Sequence, residues 1–137
     1  MEIIELYSDG GSRGNPGHSA WGFCAVRGSE IVFKDSGYLG INTNNYAEYM
    51  GLINALLWLN KNKQKFNKAV FYMDSELIVK QINSKYRVKS KKLIPLFLKA
   101  KRLIEEYPHS ISFFHVVRSF NSIADSLVNE ELDRKMA

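Results

Sequence analysis

The chain has 137 residues, 45% of them hydrophobic, with eight Phe, seven Tyr and two Trp, which supplies one core and excludes a disordered segment. A lone Cys24 excludes an internal disulfide, and no apolar run reaches the ~20 residues of a membrane helix. The formal charge of +5 favours an anionic partner, because Lys and Arg placed along a polyanion release condensed counterions.

Glu2 to Tyr7, rich in β-branched and aromatic residues, predicts a strand, and Gly10 to Gly17 reads as turn or loop. Ala20 to Arg27 and Ile31 to Tyr38 predict two more strands joined at a Gly28-Ser29 hairpin turn. Tyr46, Tyr49, Met50, Ile53, Leu56 and Leu57 recur at helical spacing, and Asn45 with Glu48 reads as a capping box at that helix's start. Ala69 to Met73 predicts a strand ending at Asp74, and Ser75 to Ile82 a helix. Leu93 to Tyr107 predicts a helix with Pro95 near its start and Pro108 just past its end. Ile111 to Val117 predicts a strand, and Asn121 to Leu132 a closing helix. Three strands followed by alternating strand and helix predict a single α/β domain over residues 1–137. Its mixed sheet should have three antiparallel N-terminal strands, with the later strands parallel.

Asp9 and Asp74 each stand at the C-terminal end of a predicted strand, the edge where open α/β sheets bind ligands. Glu48 and Asp125 fall in the first turns of two helices that can begin at the same edge. Each acid has a local explanation as turn residue, cap or dipole partner, yet four together would repel unless a cation held them. Hard oxygen ligands without thiolate or imidazole suit Mg²⁺ or Mn²⁺, not zinc. Two such ions ~4 Å apart align a water with a phosphorus atom and stabilise the leaving oxygen, which is phosphodiester hydrolysis.

Four motifs then resemble one known family. Ser8-Asp9-Gly10-Gly11-Ser12-Arg13-Gly14-Asn15-Pro16-Gly17 with Trp21-Gly22 resembles the first-strand signature of type 1 ribonuclease H. Thr43-Asn44-Asn45-Tyr46-Ala47-Glu48, Met73-Asp74-Ser75 and Ile123-Ala124-Asp125-Ser126-Leu127 resemble its other motifs, in order and over nearly the whole chain. The resemblance implies a ribonuclease H-like fold with a five-stranded mixed sheet flanked by helices. It further implies hydrolysis of the RNA strand of RNA–DNA hybrids by two Mg²⁺ ions, with Mn²⁺ able to substitute, leaving 3′-hydroxyl and 5′-phosphate ends. Asp9, Glu48, Asp74 and Asp125 match the family's metal-binding acids, Asn15, Asn44 and Asn45 its minor-groove contacts, and Thr43 a DNA-phosphate contact. Amides can donate to and accept from the 2′-hydroxyls that mark an RNA strand. Primer removal and hybrid clearance are the family's usual tasks.

Departures from the pattern bear on mechanism. Arg118 occupies the region where many members carry a loop histidine; it is no general base at neutral pH but suits a phosphate. His115, at a strand end, is expected to be structural. Lys85, Arg87, Lys89, Lys91 and Lys92 form a reduced version of a basic protrusion found in relatives, and Ser90 replaces a frequent asparagine. No signal-peptide pattern opens the chain, so a monomer in the cytoplasm, with no membrane and no obligatory protein partner, is expected. A sister nuclease with another substrate and a non-enzymatic nucleic-acid binder are the competing readings. A P-loop is disfavoured, because Gly10 to Gly17 lacks the Lys-Ser/Thr ending.

Overall fold

The computed structural model describes residues 2–137. Strands β1 (Glu2–Arg13), β2 (Gly17–Arg27) and β3 (Glu30–Asn42) precede helix α1 (Asn44–Lys61). Strand β4 (Phe66–Met73), helices α2 (Glu76–Ile82) and α3 (Ile94–Glu106), and strand β5 (Ser110–His115) follow. A 3-10 turn (Arg118–Asn121) leads into helix α4 (Ser122–Met136). The sheet order is β3-β2-β1-β4-β5, antiparallel among the first three strands and parallel from β1 through β4 to β5, as expected. Parallel pairing puts Ser8 of β1 opposite Met73, the last residue of β4, so Asp9 and Asp74 follow side by side, β1 running on where β4 stops.

Alternation decides the layers. Ile4 and Leu6 of β1, Phe23 and Ala25 of β2, and Phe71 and Met73 of β4 point to one face and are buried against α1 and α3. Tyr49, Leu52, Ile53, Leu56 and Leu59 supply the helical half of that core. Each such side chain, fully buried, contributes about 1.5–3 kcal/mol of hydrophobic stabilisation. The polar ends of buried aromatics are paired: the Tyr49 hydroxyl donates to Gln81 Oε1 (2.6 Å) and the Tyr107 hydroxyl to the Phe66 carbonyl (2.8 Å). On the opposite face α4 packs Val128 and Leu132 on Ala20 and Tyr38.

Two expectations are corrected. Gly10 to Gly17 is not a loop: β1 continues to Arg13, β2 begins at Gly17, and the turn is only Gly14–Pro16. The glycines serve close approach instead, since a Cβ on Gly10 would collide with the Ala47 carbonyl and one on Gly51 would lie 2.5 Å from the Asp9 carbonyl oxygen. Helix α1 therefore rests on the β1 backbone with no side chain between them. The second correction concerns the start of α1, where Thr43, not Asn45, is the N-cap, its Oγ1 accepting from the Tyr46 amide (3.2 Å). The carboxylate of Glu48 turns toward β1 and does not close a capping box.

Candidate active site

Four elements deliver four acids to one cavity of about 470 Å³. Asp9 extends from β1, which continues past it, while Asp74 follows the end of β4. Asp74 does not cap α2, because Ser75 Oγ accepts from the Ile78 amide (3.3 Å) and frees the neighbouring carboxylate. Glu48 reaches the cavity because Ala47 lies directly on Gly10, and Asp125 comes from the first turn of α4.

Asp9, Glu48 and Asp74 each place an oxygen within 4.8 Å of the other two. The Gly10 amide lies 2.9 Å from Asp9 Oδ1 and 3.0 Å from Glu48 Oε1 and donates to both. Glu48 Oε2 is buried and has no hydrogen-bond partner. Burial, then the nearby acids, pushes Glu48 well above the usual carboxylate range. Burial is also the main cause that raises Asp9 to about 6 and lifts Asp74. Three carboxylates with an orphaned oxygen are unfavourable alone and fit an oxygen-seeking divalent cation, whose charge would satisfy that oxygen and offset the repulsion.

Asp125 lines the same cavity but stands outside the three-acid cluster. Arg118 donates to its Oδ1 at 3.1 Å, and Asn129, one turn along α4, donates to its carbonyl (3.1 Å) and Oδ2 (3.4 Å). The Asp125 charge in turn raises Arg118. Arg118 is thus a cation held in the cavity by one of its acids.

The other expected residues divide. Asn44 and Asn45 line the acid cavity; Asn15 and Thr43 do not. Asn15 Oδ1 accepts from the Asn44 amide (3.0 Å), and Asn44 Oδ1 accepts from the amide (2.8 Å) and hydroxyl (3.0 Å) of Ser12. These bonds tie the β1–β2 turn to the start of α1, and each amide retains its NH₂ as a donor for a ligand. Asn45 also lines a neighbouring cavity of about 550 Å³ with Lys85, Arg87, Lys89 and Ser90 of the basic segment. His115 lies at the end of β5 as expected but is exposed, not packed.

Sequence reasoning passed over two residues in the cavity lining, Arg13 and Asn129. Arg13, at the end of β1, donates to Asp133 Oδ1 (2.6 Å) and Asn129 Oδ1 (3.4 Å) on α4. The signals that could have found them were the last side chain of the Gly-rich strand and, for Asn129, the i, i+4 spacing from Asp125.

A mixed sheet in the order β3-β2-β1-β4-β5, with acids gathered on β1 beside the end of β4, defines the ribonuclease H-like class of fold. The profile of the reverse transcriptase-like family matches residues 8–131. The structure of LC11-RNase H1 in complex with RNA/DNA hybrid is 37% identical, with a TM-score of 0.92 over 98% of this chain and 99% of that one. The RNase H1 of Halobacterium salinarum superposes with a TM-score of 0.88 at 35% identity, covering 96% of this chain and 98% of that one. A bifunctional protein of Mycobacterium tuberculosis is 34% identical over 135 residues, 97% of this chain, and the chain spans only 36% of its length. The chain belongs to the type 1 ribonuclease H family.

Proposed function

We propose that the chain is an endonuclease that hydrolyses the RNA strand of RNA–DNA hybrids, leaving 3′-hydroxyl and 5′-phosphate ends. Asp9, Glu48, Asp74 and Asp125 would hold two Mg²⁺ ions, and Mn²⁺, with the same affinity for oxygen, is expected to substitute. The observation that carries this reading is the set of three carboxylates within 4.8 Å of one another, one with a buried, unpartnered oxygen. Ions bound there supply charge neutralisation at the scissile phosphate and a water of lowered pKa.

The chain's own groups do the positioning. The Gly10 amide fixes the adjacent oxygens of Asp9 and Glu48, so both carboxylates are oriented before any ligand arrives. Arg118 lies in the cavity with one carboxylate partner, and its remaining donors match a phosphate oxygen. The NH₂ groups of Asn15, Asn44 and Asn45 suit acceptors in the minor groove and on 2′-hydroxyls. Thr43 stands beside them as a contact for a DNA phosphate. A single sheet with apolar clusters packed on both its faces supports reading residues 1–137 as a single domain. The buried free thiol of Cys24 is compatible with a reducing, cytoplasmic setting.

The test is hydrolysis of end-labelled hybrid, duplex RNA and duplex DNA of one sequence, each with Mg²⁺ and with chelator. RNA fragments from the hybrid, dependent on Mg²⁺ and bearing 3′-hydroxyls, are expected. Preferential cleavage of duplex DNA would assign the site to a sister nuclease.

A further inference from the structure

Helix α4 packs on β1, β2 and β3, and the same face of the sheet carries a row of aromatic rings across β1, β4 and β5. Tyr7 and Tyr72 stack with centroids 4.9 Å apart, and Phe114 continues the row 6.2 Å from Tyr72. Phe114 is 51% exposed and Phe120, beside the start of α4, 71%.

A cavity of about 320 Å³ opens on that face, walled by Tyr7, Val26, Ile31, Phe120 and Ile123, with one acid, Glu5, in its lining. Glu5 is half-buried between Val26 of β2 and Val70 of β4. Among the described residues it makes no ion pair. Lys68 and Lys34 share this side of the sheet, opposite Ile3 and Cys24, and neither reaches it. Glu5 shares this face with Tyr7, two residues along β1, and with Tyr72, which pairs with Tyr7 from β4, and after burial it is the chief influence raising both hydroxyls.

Each ligand class can be weighed against these walls. An anion meets Glu5 and is repelled. A neutral apolar group covers Glu5 and leaves a desolvated charge with no cation beside it. A small hydrated cation gains nothing from rings and branched aliphatic side chains. A planar cation on an apolar body satisfies all the surfaces at once, its fork matching the carboxylate and its plane lying on an aromatic face. The volume is at the small end of ligand pockets, which run from roughly 300 to 1,000 Å³, so it admits one side-chain-sized group.

We infer that this cavity is a binding site for a guanidinium or amidinium cation carried on an apolar body, paired with Glu5 and laid against Tyr7. Two sources share that chemistry: a free small organic cation, and an arginine side chain on a polypeptide that continues over Tyr72 and Phe114.

Titration of ¹⁵N-labelled protein tests this with benzamidinium chloride and, separately, with a blocked Leu-Arg-Phe tripeptide, reading the amides of Glu5, Val26 and Ile31. Saturable shifts are expected with both probes. A tripeptide about tenfold tighter marks the polypeptide source, since it alone covers the outer rings, and equal affinities mark the small cation. Citrulline in place of arginine, and Glu5→Gln in the protein, should each weaken binding about tenfold by removing one charge of the pair. The citrulline comparison needs no variant and stands even if Glu5→Gln perturbs folding. Shifts that do not saturate, or that saturate equally with citrulline or with Glu5→Gln, would overturn the inference.

Discussion

Glu48 stands where burial and repulsion act together, with one oxygen on the Gly10 amide and the other on nothing. A carboxyl raised in the folded state contributes stability while protonated and loses it as pH climbs through the folded value, which for neighbouring Asp9 is about 6. In chelator, Glu48→Gln should therefore melt above the wild type at pH 7.5, and the gap should close as pH falls toward 4. Added Mg²⁺ should reverse the order, raising the wild-type midpoint and leaving the variant's unchanged; thermal melts with and without the ion check both. Cys24 behaves oppositely to a reactive thiol, because burial raises it to about 11 and leaves little thiolate at pH 8. Mass spectrometry should find it unmodified by iodoacetamide in the native protein and fully modified in denaturant. At this scale Asp74 was legible because the end of β4 is readable from periodicity, whereas Asp9 was found beside it although β1 runs on to Arg13 and does not end there. The tether between Arg118 and Asp125 was not, because it depends on a 3-10 turn that no spacing rule announces.

Elements place the acids by backbone contact. Helix α1 meets β1 through Gly10 and Gly51, and neither position has room for a methyl group. Gly10→Ala must push Ala47 away and carry Glu48 with it, so it should cost about 1–3 kcal/mol and abolish stabilisation by Mg²⁺ in a thermal melt. Thr43→Ala, which removes only the cap of α1, should cost about 1 kcal/mol in a denaturant titration while Mg²⁺ still stabilises the protein. The contrast explains the misreading of the Gly-rich segment. Glycine signals a turn when only local conformation is weighed, but here Gly10 is in a strand and its missing side chain is the space the helix occupies. The capping box failed similarly: Asn45 and Glu48 have the right spacing, but Thr43 caps two residues earlier and Glu48 is drawn to β1. Strand direction, by contrast, followed from the order of elements, since a helix between strands favours a parallel crossover, whereas the pairing of β4 with β1 comes only from the folded sheet.

Across the whole molecule the net charge of +5 coexists with an acidic cavity whose lining holds two basic residues, Arg13 and Arg118, so most of the cations lie outside it. The exposed segment with Lys85, Arg87 and Lys89 borders Asn45 and extends the surface from the acids toward α3. Replacing these three by alanine should weaken hybrid binding and lower the slope of log affinity against log salt by about one for each phosphate no longer neutralised. Turnover at saturating hybrid should hardly change. This patch was readable as charge, but its adjacency to Asn45 comes only from the packing of α2 and α3. The most direct measurement is the hybrid cleavage rate and hybrid affinity of Asp74→Asn in Mg²⁺, beside the wild type. Removing one of the three clustered carboxylates should lower turnover at least about 100-fold while hybrid affinity stays within a few-fold. Wild-type turnover by that variant would contradict the assignment of the carboxylate cluster as the centre that cuts RNA.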